Sequence, residues 1–192
     1  MNILYLGTPN AKIFEEIQKK DSLISVQEKV LPNADVLKGK DMVVSFGYRF
    51  ILSAGLIKTF RKKIINLHIS YLPWNRGADP NLWSLLEMTP AGVSIHEIDE
   101  GIDTGPILCQ QEVAHDVEND TLKSSYERLV QEMECLFARN WEKIKNNNIC
   151  PRIQNREGSY HNEADKNPFL HLLSEGWNTP VKNLMGMALK CK

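Results

Sequence analysis

The sequence predicts an α/β fold: a Rossmann-like, mostly parallel twisted sheet flanked by helices, with a short C-terminal extension. Three observations predict it. The chain opens on an apolar strand, Met1–Gly7, which ends in glycine and runs at once into an amphipathic helix. Further apolar runs at 23–27, 41–46 and Ile64-Ile65 are separated by shorter helical patterns, as in an alternating α/β chain. A long helical stripe then runs from Leu122 to Ile144. The 192 residues suit one domain with a sizeable core and are too few for two comfortable ones.

In the first helix Ile13, Phe14 and Ile17 share a face, while Lys12, Glu15, Glu16 and Lys19 stay solvated. Gly7-Thr8-Pro9-Asn10 lacks the rest of a G-x-G-x-x-G fingerprint, so Gly7 reads mostly as a topological turn. Leu23–Gln27 predicts a second strand, and Pro32–Lys40 has room only for a short helix around Ala34–Leu37. Asp41–Phe46 is apolar enough to be central. Tyr48-Arg49-Phe50-Ile51-Leu52 follows, and Ser53 caps a helix through Phe60, with a hydrophobic staple ahead of the cap as one reading of those apolar residues. Arg61-Lys62-Lys63 complements that helix's dipole and needs no nucleic acid to explain it. Leu82, Leu85 and Leu86 face inward on a helix from Pro80 to Met88, and Trp74 and Trp83 are large aromatics suited to core or rim packing. Val93–Ile98 and Pro106–Val113 predict two strands, antiparallel across the turn between them. Asp120 predicts the cap of the long helix, whose core stripe is Leu122, Tyr126, Leu129, Val130, Met133, Phe137, Trp141 and Ile144. From Cys150 the composition turns polar, with Arg152, Gln154 and Arg156, a short helix marked by Leu170, Leu172 and Leu173, then Gly176-Trp177. The predicted division is 1–148 for the main domain and 149–192 for an extension packing on or beside it.

One stretch organises the chain: Ile64-Ile65-Asn66-Leu67-His68-Ile69-Ser70-Tyr71-Leu72-Pro73-Trp74-Asn75-Arg76-Gly77-Ala78-Asp79-Pro80. It begins as a strand. Alternation puts Asn66 and His68 on one face, about 6.5–7 Å apart. Pro73 and Gly77 then force irregular backbone, and Asp79-Pro80 reads as a helix N-cap with proline in the first position. An amide beside an imidazole at the carboxyl end of a buried strand fits either a functional site or a pair of satisfied core polars. Spacing alone leaves both open.

Composition excludes several classes. A net charge of −1 gives no electrostatic reason to expect nucleic acid or an anionic membrane. No apolar run approaches a membrane span, and the N-terminus lacks a signal peptide's apolar centre. Cys109, Cys135, Cys150 and Cys191 show no metal or redox spacing and fit a reducing cytoplasm. His96 with Asp99 and Glu100 lacks the third-ligand spacing of a metal site, so no metal is expected.

The choice tips at Asp99-Glu100-Gly101-Ile102-Asp103-Thr104-Gly105-Pro106-Ile107, a glycine-punctuated acidic turn. Asn66-x-His68, Ser70-x-Leu72-Pro73-x-x-Arg76-Gly77 and Asp103-x-Gly105 together resemble the formyltransferase family, from the first strand to the end of the long helix. The resemblance implies the formyltransferase fold and 10-formyltetrahydrofolate as formyl donor. It implies Asn66, His68 and Asp103 as the catalytic set. It assigns Tyr48, Arg49, Phe50, Ile51 and Leu52, with Ile98, Asp99, Glu100 and Gly101, to the folate.

Formyl transfer to an amine is acyl transfer, which needs a proton acceptor, a donor to the oxyanion and an orienting charge. An imidazole, with an ordinary pKa of about 6.5, can accept the proton, the Asn66 amide can donate, and Asp103 can hold His68 and stabilise its charged form. For the acceptor, Pro73 to Trp83 is similar to formyltransferases of bacterial surface-polysaccharide pathways, which modify amino sugars, usually nucleotide-linked. On that likeness Trp74, Arg76, Gly77 and Asp79 are expected at the substrate, and a homodimer formed through C-terminal elements is compatible with the tail. Glycinamide ribonucleotide formylation, hydrolysis of 10-formyltetrahydrofolate and a non-catalytic folate- or nucleotide-binding module stand as alternatives.

Overall fold

The computed structural model describes residues 1–31, 33–60, 63–154 and 157–191. Pro32, Arg61, Lys62 and Arg156, which figure in the sequence reading, lie outside these residues. The chain forms two compact units, each assembled from three stretches. The first gathers Met1–His68, Ile95–Cys109 and Glu134–Ile153, and the second Ile69–Ser94, Gln110–Met133 and Gln154–Lys192.

In the first unit β1 (Asn2–Gly7), α1 (Ala11–Gln18), β2 (Ser22–Gln27), β3 (Met42–Phe46), α2 (Ala54–Thr59) and β4 (Ile64–His68) follow in order. The four strands pair in parallel, β1 between β2 and β3 and β3 between β1 and β4. Ala34–Leu37 forms a 3-10 turn where the short helix is predicted. Asn10 caps α1 by accepting from Ile13 N (3.0 Å), and Ser53 caps α2 by accepting from Leu56 N (3.2 Å), each cap contributing about 1 kcal/mol. Leu4, Leu6, Val43 and Ile64 form one core cluster with Leu56 of α2 and Phe60, the residue that follows it. Burying each such aliphatic side chain stabilises by about 1.5–3 kcal/mol, which is why the apolar runs settle as interior strands.

The sheet order is β2-β1-β3-β4-β6-β7, with β6 spanning Gly92–Glu97 and β7 Ile107–Glu112. Glu97 N–H donates to Pro106 O (2.9 Å) and Val113 N–H to Ala91 O (3.0 Å), so β6 and β7 run antiparallel as predicted.

The long helix α4 covers Leu122–Lys145. Thr121, and not Asp120, caps it: Ser124 N–H donates to Thr121 Oγ1 (3.2 Å) and Thr121 N–H to Ser124 Oγ (2.9 Å). Asp120 lies one residue too early and accepts from the Ser124 hydroxyl at 2.9 Å. Leu122, Leu129, Met133, Phe137, Trp141 and Ile144 are buried as the stripe predicts, whereas Tyr126 is exposed.

In the second unit β5 (Arg76–Gly77) pairs in parallel with β8 (Tyr160–His161), and α3 covers Pro80–Leu86. Gly77 has φ +88°, and a Cβ there would sit 2.3 Å from His161 O, so only glycine serves. The tail, expected to be polar, puts Val181, Leu184 and Ala188 into one cluster with Leu82, Trp83, Leu85, Leu86 and Leu122. Trp83 is a core residue, stacked on His161 with ring centroids 3.7 Å apart and planes 5° apart. Asp79 occupies the position ahead of α3 and Pro80 begins the helix, but Asp79 makes no side-chain cap. Its left-handed backbone (φ 51°, ψ 44°) departs from the extended conformation of a capping residue, and its carboxylate pairs with Lys166 at 2.7 Å. No helix among the described residues is long and apolar enough to cross a membrane.

Candidate active site

The site is built in the first unit, where β4 lies between β3 and β6. Strand alternation sends Ile65 and Leu67 to the face opposite Ile64, Asn66 and His68, so the amide and imidazole share a side. His68 is buried and Asn66 half-buried.

Asp103 is brought to them by the turn between β6 and β7. Asp99 Oδ1 accepts from Gly101 N (3.1 Å) and from Thr104 Oγ1 (2.6 Å), which closes the turn on itself. Gly105 then passes so near the end of β6 that a Cβ would lie 1.8 Å from Glu97 O. Asp103 itself adopts φ 53°, a left-handed conformation that aspartate tolerates better than most residues.

The result is convergence. Asn66 Nδ2 donates to Asp103 Oδ1 at 3.1 Å, and His68 Nε2 lies 3.6 Å from Asp103 Oδ2. Each carboxylate oxygen thus faces a different member of the set. The second separation is too long for a direct hydrogen bond but within reach of charge stabilisation or one bridging water.

A fourth group belongs to this cluster, one that the sequence reading weighed only as a metal ligand. His96 on β6 is fully buried, with Nε2 3.3 Å from Asn66 Nδ2 and 3.4 Å from Asp103 Oδ1. Its ring meets that of His68 edge-on, centroids 6.2 Å apart. The signal in the sequence was a polar face on a buried strand, since Ser94 and His96 alternate with Val93 and Ile95. What the sequence does not contain is the adjacency of β6 to β4.

The residues assigned to the folate also lie in the first unit. Tyr48, Leu52 and Ile98 pack on the core cluster beneath, while Arg49, Phe50 and Ile51 are exposed. Tyr48 donates to Lys29 O at 3.0 Å, and its ring meets Phe50 with centroids 5.4 Å apart. Ile51 is 81% exposed, a large apolar side chain with an anchored loop behind it. Asp99 and Gly101 are the turn residues described above, and Glu100 pairs with Lys58 at 2.9 Å.

Trp74, Arg76, Gly77 and Asp79 lie in the second unit. Arg76 Nε donates to Ser159 O at 3.4 Å, Trp74 is half-buried, and Asp79 pairs with Lys166. The same unit holds a mostly apolar cavity of about 280 Å³ lined by Leu122, Tyr126, Leu170 and Trp177 among others. It also holds His115, whose Nε2 lies 3.1 Å from Ser84 Oγ. Burial pushes the His115 imidazole below its ordinary range; Asp120 opposes this and Arg128 adds to it. Among the described residues no group of three or more His, Cys, Asp or Glu has the arrangement to hold a metal ion.

A Rossmann-like sheet with an amide, an imidazole and a carboxylate gathered beside one of its central strands is an α/β domain with groups suited to acyl transfer. Comparison with known proteins gives the family. The Formyl transferase family model matches residues 10–139, and the chain belongs to that family. The crystal structure of the formyltransferase PseJ from Anoxybacillus kamchatkensis, in complex with UDP-4,6-dideoxy-4-formamido-L-AltNAc and tetrahydrofolate, is 44% identical in sequence. It superposes with a TM-score of 0.93 over 98% of this chain and 100% of that one. The dTDP-4-amino-4,6-dideoxyglucose formyltransferase of Mycobacterium tuberculosis is 32% identical over 133 residues, 69% of this chain and 55% of that protein. The methionyl-tRNA formyltransferase of Thermodesulfovibrio yellowstonii is 32% identical over 173 residues, 90% of this chain and 52% of that protein. The chain therefore spans about half the length of these two curated relatives.

Proposed function

We propose that this chain transfers a formyl group from 10-formyltetrahydrofolate to the amine of a nucleotide-linked amino sugar. The observation that carries the reading is the meeting of Asn66, His68 and Asp103 within one unit. Similarity to PseJ along the full length of that chain supports a UDP-linked 4-amino sugar as the first acceptor to test. The net charge of −1 favours a small-molecule acceptor over a tRNA.

In this reading His68 Nε2 takes a proton from the attacking amine, and Asp103 Oδ2 stabilises the imidazolium, directly or through one water. The amine nitrogen bonds to the formyl carbon while the Asn66 amide donates to the oxygen that gains charge. The bond from that carbon to N10 of the folate then breaks, and the proton held by His68 goes to N10. The formyl donor is a substrate, and its pocket is formed by Tyr48, Arg49, Phe50, Ile51 and Leu52 together with Ile98, Asp99, Glu100 and Gly101. Trp74, Arg76, Gly77 and Asp79 contact the acceptor. Residues 1–148 act as the catalytic domain and 149–192 as its extension, and the three described thiols, Cys109, Cys135 and Cys150, all free, suit a reducing cytoplasm.

The test is to incubate the protein with 10-formyltetrahydrofolate and a panel of UDP-, dTDP- and GDP-linked amino sugars, then to read formyl mass gain. Gain on an amino sugar is the expected result. Gain only on glycinamide ribonucleotide or methionyl-tRNA would overturn the acceptor, and formate release with no amine present would make the activity hydrolytic.

A further inference from the structure

The Asn66 amide has two ends of nearly the same shape, a carbonyl that accepts and an NH₂ that donates, so packing alone does not choose between them. The choice decides whether Asn66 is able to stabilise an oxyanion. Two groups on one side of it make the choice electrostatically. Asp103 Oδ1 lies 3.1 Å from Nδ2, and His96 Nε2 lies 3.3 Å from it.

His96 is an acceptor at Nε2 because its other nitrogen is committed. Nδ1 lies 2.8 Å from Glu97 O, a carbonyl that only accepts, so in the neutral ring the hydrogen sits on Nδ1 and Nε2 presents its lone pair. If the amide were turned over, its oxygen would face a carboxylate oxygen and an imidazole lone pair with no hydrogen among the three. With Nδ2 inward, both acceptors have a hydrogen to receive.

The geometry goes one step further. His96 Nε2 and Asp103 Oδ1 are themselves 3.4 Å apart, so the three atoms form a nearly equilateral triangle. Its angle at Nδ2 is about 64°, against about 120° between the two N–H bonds of a planar amide. Two N–H bonds that far apart serve both acceptors only with each about 28° off its line. With a third acceptor present, one N–H shared between Asp103 Oδ1 and His96 Nε2, about 32° from each, leaves the other to turn to it.

We infer that His96 is a positioning residue: it fixes the plane and direction of the Asn66 amide so that its second N–H is presented to the formyl oxygen. This rests on the proposed oxyanion role of Asn66. A single hydrogen bond to Asp103 leaves the amide free to pivot about that bond, and the second acceptor stops the pivot. His96 does this without touching substrate.

A double-mutant cycle in the full chain tests it, with CD and thermal melts to confirm folding and saturating 10-formyltetrahydrofolate and UDP-amino sugar to separate kcat from KM. Asn66→Ala is expected to lower kcat by about 10²–10³-fold, and His96→Leu by about 10–100-fold with KM for either substrate little changed. His96→Gln, whose carbonyl oxygen still accepts, recovers part of the loss and serves if His96→Leu does not fold. The decisive arm is His96→Leu, or His96→Gln in its place, in the Asn66→Ala background, where no further loss is expected because the group being positioned is gone. Additive losses, or wild-type kcat in His96→Leu, overturn the assignment. Wild-type kcat in Asn66→Ala instead overturns the oxyanion role beneath it.

Discussion

Asp103→Asn is the sharpest perturbation of the cluster, because it keeps the shape of the side chain and removes its charge. Two effects combine. His68 Nε2 lies 3.6 Å from Asp103 Oδ2. At that separation, with an effective dielectric of about 20, a carboxylate stabilises an imidazolium by about 4–5 kcal/mol. That stabilisation exists only once His68 holds the proton, so its loss appears in the barrier, as a fall in kcat of about 10³-fold. The second effect is on orientation: the new amide offers a donor on one side where Asn66 and His68 both found an acceptor. Folding is expected to survive, since Asp99, Thr104 and Gly105 close the turn. The assay is initial rates at saturating substrates, with near-UV CD and the melting temperature measured on the same preparation. A folded Asp103→Asn protein with kcat within threefold of the parent would refute the electrostatic role, whatever the outcome for the other residues.

Further expected outcomes follow from the same geometry. Gly105→Ala forces a Cβ to within 1.8 Å of Glu97 O, so the turn must shift; a loss of more than about 2 kcal/mol in urea unfolding and of most activity is expected, and an unchanged midpoint would show that the turn is not held here. Ile51→Ser, at a side chain 81% exposed, should move stability by no more than about 0.5 kcal/mol and raise KM for 10-formyltetrahydrofolate by about tenfold, and an unchanged KM would take that loop out of the donor site. Burial holds the His115 imidazole below its ordinary range, so the unfolded chain binds a proton there that the folded chain does not. Stability is therefore lost as pH falls through the ordinary imidazole range toward the lowered folded value, and His115→Gln should flatten that part of the curve; urea midpoints at pH 7.5 and 5.5, compared between parent and mutant, decide it.

Strand residues were the most legible part of the chain. A parallel strand buried on both faces reads as a continuous apolar run, which is why Leu4, Val43 and Ile65 announce their places. The amide–imidazole–carboxylate cluster was legible for another reason: alternation aligns Asn66 with His68 locally, and the family likeness supplied Asp103 from a distant part of the chain. His96 was missed as a member of this cluster because its partners come from strand order, which periodicity does not encode. Asp120 and Asp79 were read as caps from residue type alone. Thr121 and Ser124 make the reciprocal bonds at α4, and Asp79 turns left-handed and meets Lys166 instead. The tail was read as polar because 3-10 turns bury isolated side chains such as Val181 and Leu184 without the 3.6-residue rhythm that marks an α-helix.

The interleaving of the two units has a bearing on how such a chain changes over time. The stretch 69–94 is spliced covalently between His68 and Ile95, and 110–133 between Cys109 and Glu134. Neither unit exists as a contiguous cassette that recombination might exchange whole. The stretch 69–94 begins directly after His68 of the amide–imidazole–carboxylate cluster, so substitutions in that stretch and in the cluster are inherited as one contiguous run.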